Sequence, residues 1–421
     1  MGLKAALHKI DLNPQEDIYD KAFLYLLAAS VVLRVLWLDK PVGSLIFDEK
    51  YYVNVARNIL RLPHEPDVYP DATPGLDPNH EHPFLGKGLI ALSMMFLGDN
   101  AWGWRIPSVI FGTVGVLVFY LLVKKLARRS DFALFAAFLF TFDNLVFVHG
   151  RVATLDIFML TFMLLGVYWY FSGRTYISAL ALALSTLSKI GGLYGFATVI
   201  VFHLAKTLLK KGGGGGVQWR PSLDWLEKYA LTYVISGLVL LTVFDRLWVG
   251  FNNPFDHISF IYSYTKALTR LVPEGIESYP WQWLINEVKI PYLTVNVNVY
   301  SNDVMTKTYP SVAFTGAMNP LIIFLTIPAI LYSAYSYYEK REDLTLFTVI
   351  WFALTYLPFY PMSILWHRIM YIFYFLSTIP SVCIAITYLF LDQRPHRIII
   401  LAYVIAVLVG FGLLFPFKTV P

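Results

Sequence analysis

Apolar residues run through this chain in long blocks. They neither alternate nor return strictly every third or fourth position. The blocks lie near 22–38, 106–123, 132–148, 155–171, 177–190, 193–209, 229–249, 320–338, 344–360, 369–391 and 398–415. A bilayer core takes about 20 apolar residues as helix, with a range of about 17–25. Open strands are excluded there, because their backbone polar groups would go unpaired in lipid. The pattern predicts an all-α membrane protein of about eleven spans. Only Gly191 and Gly192 divide the stretch 177–209.

Polar segments between the blocks are short, with three exceptions. Residues 39–105 and 250–319 form two long loops, and 210–228 holds Gly212 to Gly216, a flexible spacer by composition. In the first long loop Tyr52, Val55, Ile59 and Leu62 recur at helical spacing, with Lys50, Asn54, Arg57 and Arg61 on the other face. That predicts an amphipathic helix in the membrane interface. The apolar stretch 88–97 is too short to span, since ten residues rise only about 15 Å as helix. It should lie along the interface or re-enter.

Composition agrees with the pattern. Hydrophobic residues make up 57% of the 421 and charged residues 14%, with a mean hydropathy of +0.57. Soluble chains are about 45–50% apolar and about 25% charged. A soluble enzyme, a disordered chain and a nucleic-acid-binding module are therefore excluded. Topology explains the net charge of +5 better than a polyanionic partner does. Lys124, Lys125, Arg128 and Arg129, then Arg174, Lys210 with Lys211, Lys340 with Arg341, and Arg394 with Arg397 all fall on one side if the helices alternate. Short basic loops mark the cytoplasmic side, so the N-terminus is inside and both long loops face outward. Residues 1–20 contain no cleavable signal pattern, and the first block should target and anchor the chain. The single cysteine, Cys383, excludes an intramolecular disulfide. No internal repeat is visible, and 1–421 reads as one transmembrane domain.

Candidate chemistry gathers at the outer ends. Asp48-Glu49 follows the first span, where an acidic pair serves as general base or metal ligand, or else caps the next helix. Lys87 heads the short apolar stretch, placed to bind a lipid phosphate or simply to snorkel. His64, His80, Glu81 and His82 raise the question of a divalent metal, but their spacing matches no strong signature. Arg34 ends the first span, Asp143-Asn144 and His149-Gly150-Arg151 end the third, and Asp156 opens the fourth. Lys189 ends the fifth, and Trp366-His367-Arg368 precedes the tenth. Charges in such helices are costly and mark sites or pathways. A set converging on one leaflet suits a lipid-linked phosphate, neutralised by Arg and Lys. The aromatic residues of the second loop, Trp281 and Trp283 among them, either form an interfacial belt or hold sugar or acceptor.

The ordered set resembles the protein O-mannosyltransferases, dolichyl-phosphate-mannose–dependent membrane enzymes of the GT-C fold. Its parts are Asp48-Glu49, His82-Pro83-Phe84-Leu85-Gly86-Lys87, Asp143-Asn144 with Arg151 and Leu155-Asp156, Ser188-Lys189 with Gly192-Leu193, the run from Ser278 to Trp283, and Asn319-Pro320. Phe84 replaces the usual second proline and Ile190 the usual tryptophan, and 250–319 is too short for the family's β-trefoil insertion. The resemblance implies an inverting transfer of mannose, or a related hexose, from a polyprenyl or dolichyl phosphate to Ser or Thr of proteins outside the cytoplasm. It implies Asp48 as base with Glu49 beside it. It implies that Arg34, His82, Lys87, Arg151, Asp156, Lys189, His367 and Arg368 serve donor phosphate and sugar, and that Trp281 and Trp283 lie on the acceptor side. No cofactor is required by that chemistry, and family members often pair as dimers. The rival readings are a sister GT-C transferase with a lipid or glycan acceptor, and a polytopic transporter.

Overall fold

The computed structural model describes residues 14–209, 219–301 and 304–419. Its helices are α1 (Pro14–Val35), α2 (Glu49–Ile59), α3 (Leu85–Leu97), α4 (Ala101–Ala127), α5 (Ser130–Thr141), α6 (Asn144–His149), α7 (Asp156–Phe171), α8 (Thr175–Ser188), α9 (Leu193–Leu209), α10 (Trp219–Phe244), α11 (Pro254–Ala267), α12 (Pro280–Trp283), α13 (Pro320–Phe324), α14 (Thr326–Lys340), α15 (Asp343–Tyr356), α16 (Phe359–Ile364), α17 (Ile379–Gln393) and α18 (Arg397–Leu413). Every apolar block becomes helix. Four stretches among the described residues, Ala101–Ala127, Ile190–Leu209, Arg220–Val249 and Asp343–Ile364, are long and apolar enough to cross a bilayer by length and composition. The other blocks are shorter, broken or, in α1, more polar, so a count of eleven spans does not follow from the helices. The glycine run 212–216 lies outside the described residues.

The breaks have local causes. The third block stops at Phe142 because Asp143 turns its carboxylate onto the backbone N–H groups of Leu145 and Val146, capping a new short helix. The other carboxylate oxygen accepts from Asn319 N at 3.0 Å. Asn319 in turn caps α13 and donates to the carbonyls of Phe142 and Val407. Two broken helices are thereby pinned to each other and to α18. The tenth block enters as extended chain and 3-10 turn before α17 begins. In membranes, such interruptions are tolerated only where protein re-satisfies the freed backbone groups.

Close packing follows from small residues. A Cβ on Gly166 of α7 would lie 2.5 Å from the Leu182 side chain of α8, and one on Gly112 of α4 would lie 3.0 Å from the Gly150 backbone. The first addition would require α7 and α8 to shift, and the second would press on the turn at Gly150.

The second long loop is not purely helical. Strands β1 (Ile290–Ser301) and β2 (Val304–Gly316) pair antiparallel as a hairpin. This amends the all-α expectation locally. The β-branched alternation of Thr294, Val295, Val297 and Val299 carries the strand tendency.

The bundle has two charged ends. Lys124 meets Asp20 at 2.7 Å, Lys340 meets Asp392, and Lys206 meets Asp343 at one end. Both long loops, with Asp48, fold together over the other.

Candidate active site

Asp48 stands where a cap for α2 would, yet its side chain makes no capping bond. The capping alternative therefore fails for this residue. The carboxyl is half-buried and is pushed up to about 7, mainly by burial. Lys189 opposes that rise, while Asp156 and Glu81 add to it. Two of these charges pair with each other. Lys189 Nζ binds both Asp156 oxygens at 2.8 and 2.9 Å and lies 4.8 Å from the centre of the Phe373 ring. Asp156 is set by the first turn of α7, and Lys189 by the extended residue that ends α8.

Around this group the loops close. His82 packs against Tyr52 with ring centres 6.1 Å apart. Burial, with Lys189, Lys87 and Arg368, holds its imidazole well below the usual histidine range. The ring is therefore neutral, and its Nδ1 is buried without a hydrogen-bond partner among the described residues. Glu81 accepts from the Asn79 amide at 2.6 Å. His149 bridges Thr154 Oγ1 at 3.0 Å and the Tyr292 hydroxyl at 2.9 Å. Tyr292 stacks on Phe47, immediately before Asp48, at 4.1 Å. One face of the site therefore comes from β1 of the second loop. Arg368 donates to the Thr265 carbonyl and makes no ion pair among the described residues.

Several residues singled out in the sequence are occupied elsewhere. Both Glu49 oxygens bind Arg105 at 2.8 Å and also accept from the backbone N–H groups of Ile46 and Ala153. Its carboxylate has no capacity left for a substrate. Lys87 is fully buried, paired with Asp77 at 2.5 Å and bonded to the carbonyls of Asn79 and His82. It does not snorkel, and it struts the 77–82 loop. Arg151 donates to the carbonyls of Leu33, Leu36 and Trp37, closing the C-terminal end of α1. Arg34 is buried against Ser30, with two guanidinium nitrogens beside Gly150 that have no partner among the described residues. Trp283 is core, donating to Ser278 at 2.9 Å, whereas Trp281 is exposed and stacks on Tyr279. His367 adopts a positive φ of 50°. Its carbonyl accepts from Arg270 N, in the short pairing that also joins Thr269 to Arg368.

Among the described residues no group of three His, Cys, Asp or Glu side chains could hold a metal. His64 contacts the Tyr69 carbonyl and His80 meets Phe251 and Phe260, well separated in role from His82. Patterning along the chain did not single out Arg105 or Asp77. Arg105 carried a usable signal, a charge at the head of a long apolar block. Asp77 carried none.

The sequence and fold have known likenesses. Residues 81–213 match the family model described as dolichyl-phosphate-mannose-protein mannosyltransferase. A polyprenol-phosphate-mannose–protein mannosyltransferase of Corynebacterium glutamicum is 24% identical, over 80% of this chain and 75% of that one. The protein of the same description in Mycolicibacterium smegmatis is 32% identical over 137 residues, which is 32% of this chain and 25% of that one. Among solved structures, the S. cerevisiae protein O-mannosyltransferase Pmt1-Pmt2 complex bound to its sugar donor matches with a TM-score of 0.72 at 11% identity, over 98% of this chain and 91% of that one. ArnT from Cupriavidus metallidurans, bound to undecaprenyl phosphate, matches at 0.56 and 17% identity, over 87% and 60%. The fold is thus GT-C, and the chain is similar to dolichyl-phosphate-mannose–protein mannosyltransferases, most directly through residues 81–213.

Proposed function

We propose that this protein transfers mannose, or a closely related hexose, from a polyprenyl phosphate to Ser or Thr hydroxyls of proteins on the extracytoplasmic side. The observation that carries the reading is Asp48. Its carboxylate is not consumed by capping, lies within the electrostatic reach of Lys189, and is tuned to about 7. A general base works best with a pKa near the operating pH. The likeness to polyprenol-phosphate-mannose–protein mannosyltransferases and to protein O-mannosyltransferases supplies the donor and acceptor classes.

The step balances simply. Asp48 takes the proton of the acceptor hydroxyl. That oxygen attacks the anomeric carbon from the face opposite the phosphate, and the carbon–oxygen bond to phosphate breaks with its electron pair leaving on phosphate. Charge then develops on the departing oxygen and on an oxocarbenium-like sugar. Arg368, lacking a carboxylate partner, and Lys189 are the cations assigned to the phosphate. Neutral His82, with its orphaned Nδ1, is assigned to a sugar hydroxyl. Glu49, Arg105, Lys87 and Arg151 hold the frame and touch no reactant.

The test is transfer of labelled mannose from a short polyprenyl phosphate to Thr-containing peptides by the purified chain. Asp48→Asn should fold and lose about 10²–10⁴ in rate, the usual worth of a positioned base. Near-normal transfer by that variant would overturn the assignment. Label found on lipid instead of peptide would move the chain to a sister reaction.

A further inference from the structure

The hairpin leaves one strand edge open. The far side of β2 is covered by the end of the chain. Ala313 N donates to the Pro416 carbonyl at 2.7 Å, Lys418 N donates to Ser311 at 2.8 Å, and Val312 bridges Phe417. The far side of β1 has no such cover. No backbone hydrogen bond joins residues 290–301 to any described segment other than β2. Pro291 lies in β1, and proline within a sheet is confined to edges, bulges and strand starts. From Ile290 to Ser301 the strand carries no charge. Val295, Val297 and Val299 are 36%, 39% and 39% exposed. Proteins usually blunt such an edge with charge, bulges or cover, because it is a template for another chain. Bulges interrupt the β1–β2 register, but among the described residues no lysine of β1 and no covering segment guards the outer side.

The root of this edge is the site itself. Tyr292, third residue of β1, binds His149 and stacks on Phe47 beside Asp48. We propose that the open edge of β1 binds the acceptor polypeptide as an added antiparallel or parallel strand, delivering a Ser or Thr side chain to Asp48 at the base of the hairpin. This rests on the proposed function and names how its acceptor is held. Strand addition draws affinity from main-chain hydrogen bonds, and its side-chain selectivity comes from pockets at alternate positions. Here the strand offers Asn, Thr and Val, so recognition is of extended backbone more than of sequence. At about 3.3 Å per residue, the stretch from Tyr292 to Val297 engages roughly five acceptor residues. The occupant is therefore an unfolded or extended segment. A folded domain with its own strands paired cannot fit.

The experiment uses the purified full chain, labelled polyprenyl-phosphate mannose and a peptide with a single Thr. Each flanking residue of the peptide is N-methylated in turn, which removes one backbone N–H. Alternate positions should raise the peptide KM about tenfold, the weight of one or two backbone bonds, while the positions between change little. Saturating rate and donor KM should stay constant. On the enzyme, Thr294→Pro and Val295→Pro form a matched pair. The one whose N–H points away from β2 should raise peptide KM alone. A flat N-methyl profile overturns the proposal, as does a cross-link showing that this edge pairs two copies of the chain. If no peptide is a substrate at all, it is the proposed function that fails.

Discussion

A single carboxyl group sets the pH behaviour expected of this protein. Burial holds the Asp48 proton in the folded state up to about pH 7, well above the ordinary aspartate range. Transfer should therefore rise with pH through about 7, and that limb should vanish in Asp48→Asn. Linkage gives a second sign. A carboxyl whose folded value is raised makes the folded state bind its proton more tightly than the unfolded chain does. Its charge is then a cost that grows as pH climbs from about 4 to about 7 and persists above. Asp48→Asn should accordingly melt higher than the parent at pH 8 and alongside it at pH 4, when followed by thermal unfolding in detergent. A variant that loses activity while gaining stability at alkaline pH is hard to explain if Asp48 is a structural cap. Arg368 gives the complementary test. Arg368→Ala should lose about 10²–10³ in rate, as removal of one charge stabiliser does. Its donor KM should rise more than its peptide KM, and equal rises would remove Arg368 from the phosphate.

Elements are positioned here by buried ion pairs, which the sequence shows only as isolated charges. Glu49 ties α2 to α4 through Arg105, and to the 153 backbone through Ala153 N. Arg105→Met would strand a buried carboxylate with two backbone donors but no cation. Breaking a buried pair from one side costs about 3–5 kcal/mol, so this variant should lose most of its folded yield, read as monodisperse protein by size exclusion in detergent. Normal yield would show that Glu49 does not need its cation. The same feature explains what was legible in the chain and what was not. The apolar blocks announced their helices because membrane-facing helices need unbroken hydrophobicity over many residues. Asp48, Lys189, Asp156 and Arg368 were legible as charges at the same end of alternating helices. Which charge faces a ligand and which faces another charge depends on partners far away in sequence. The pairing of Lys87 with Asp77 was not legible, because Asp77 sits in a polar loop with no pattern around it. Glu49 looked like the twin of Asp48 because adjacency in sequence hides that consecutive residues at a helix start point in different directions. The hairpin was missed because the loop was read for its aromatics, while its alternating valines were the informative residues.

The whole molecule reduces to a bundle with an ion-paired end and a loop-covered end, and the proposed reaction requires the second to face outward. Ion pairs Lys124–Asp20 and Lys340–Asp392 lie at the first end, in the short basic loops that the positive-inside tendency assigns to the cytoplasm. Asp48, Arg368 and the hairpin lie at the other. The chain lends itself to a direct test, because its single cysteine, Cys383, is buried. Background labelling by a thiol reagent should be low in the folded protein. Val42, 74% exposed between α1 and α2, reports on the loop-covered end, and Glu339, exposed near the end of α14, reports on the other. In intact cells a membrane-impermeant maleimide should label Val42→Cys and not Glu339→Cys, and permeabilisation should expose the second. The reverse pattern would put Asp48 in the cytoplasm, where no extracytoplasmic Ser or Thr could reach it, and would remove the acceptor side of the proposed reaction while leaving the fold intact. Labelling of both in intact cells, with Cys383 silent, would show a mixed orientation and make the basic loops too weak to orient the chain.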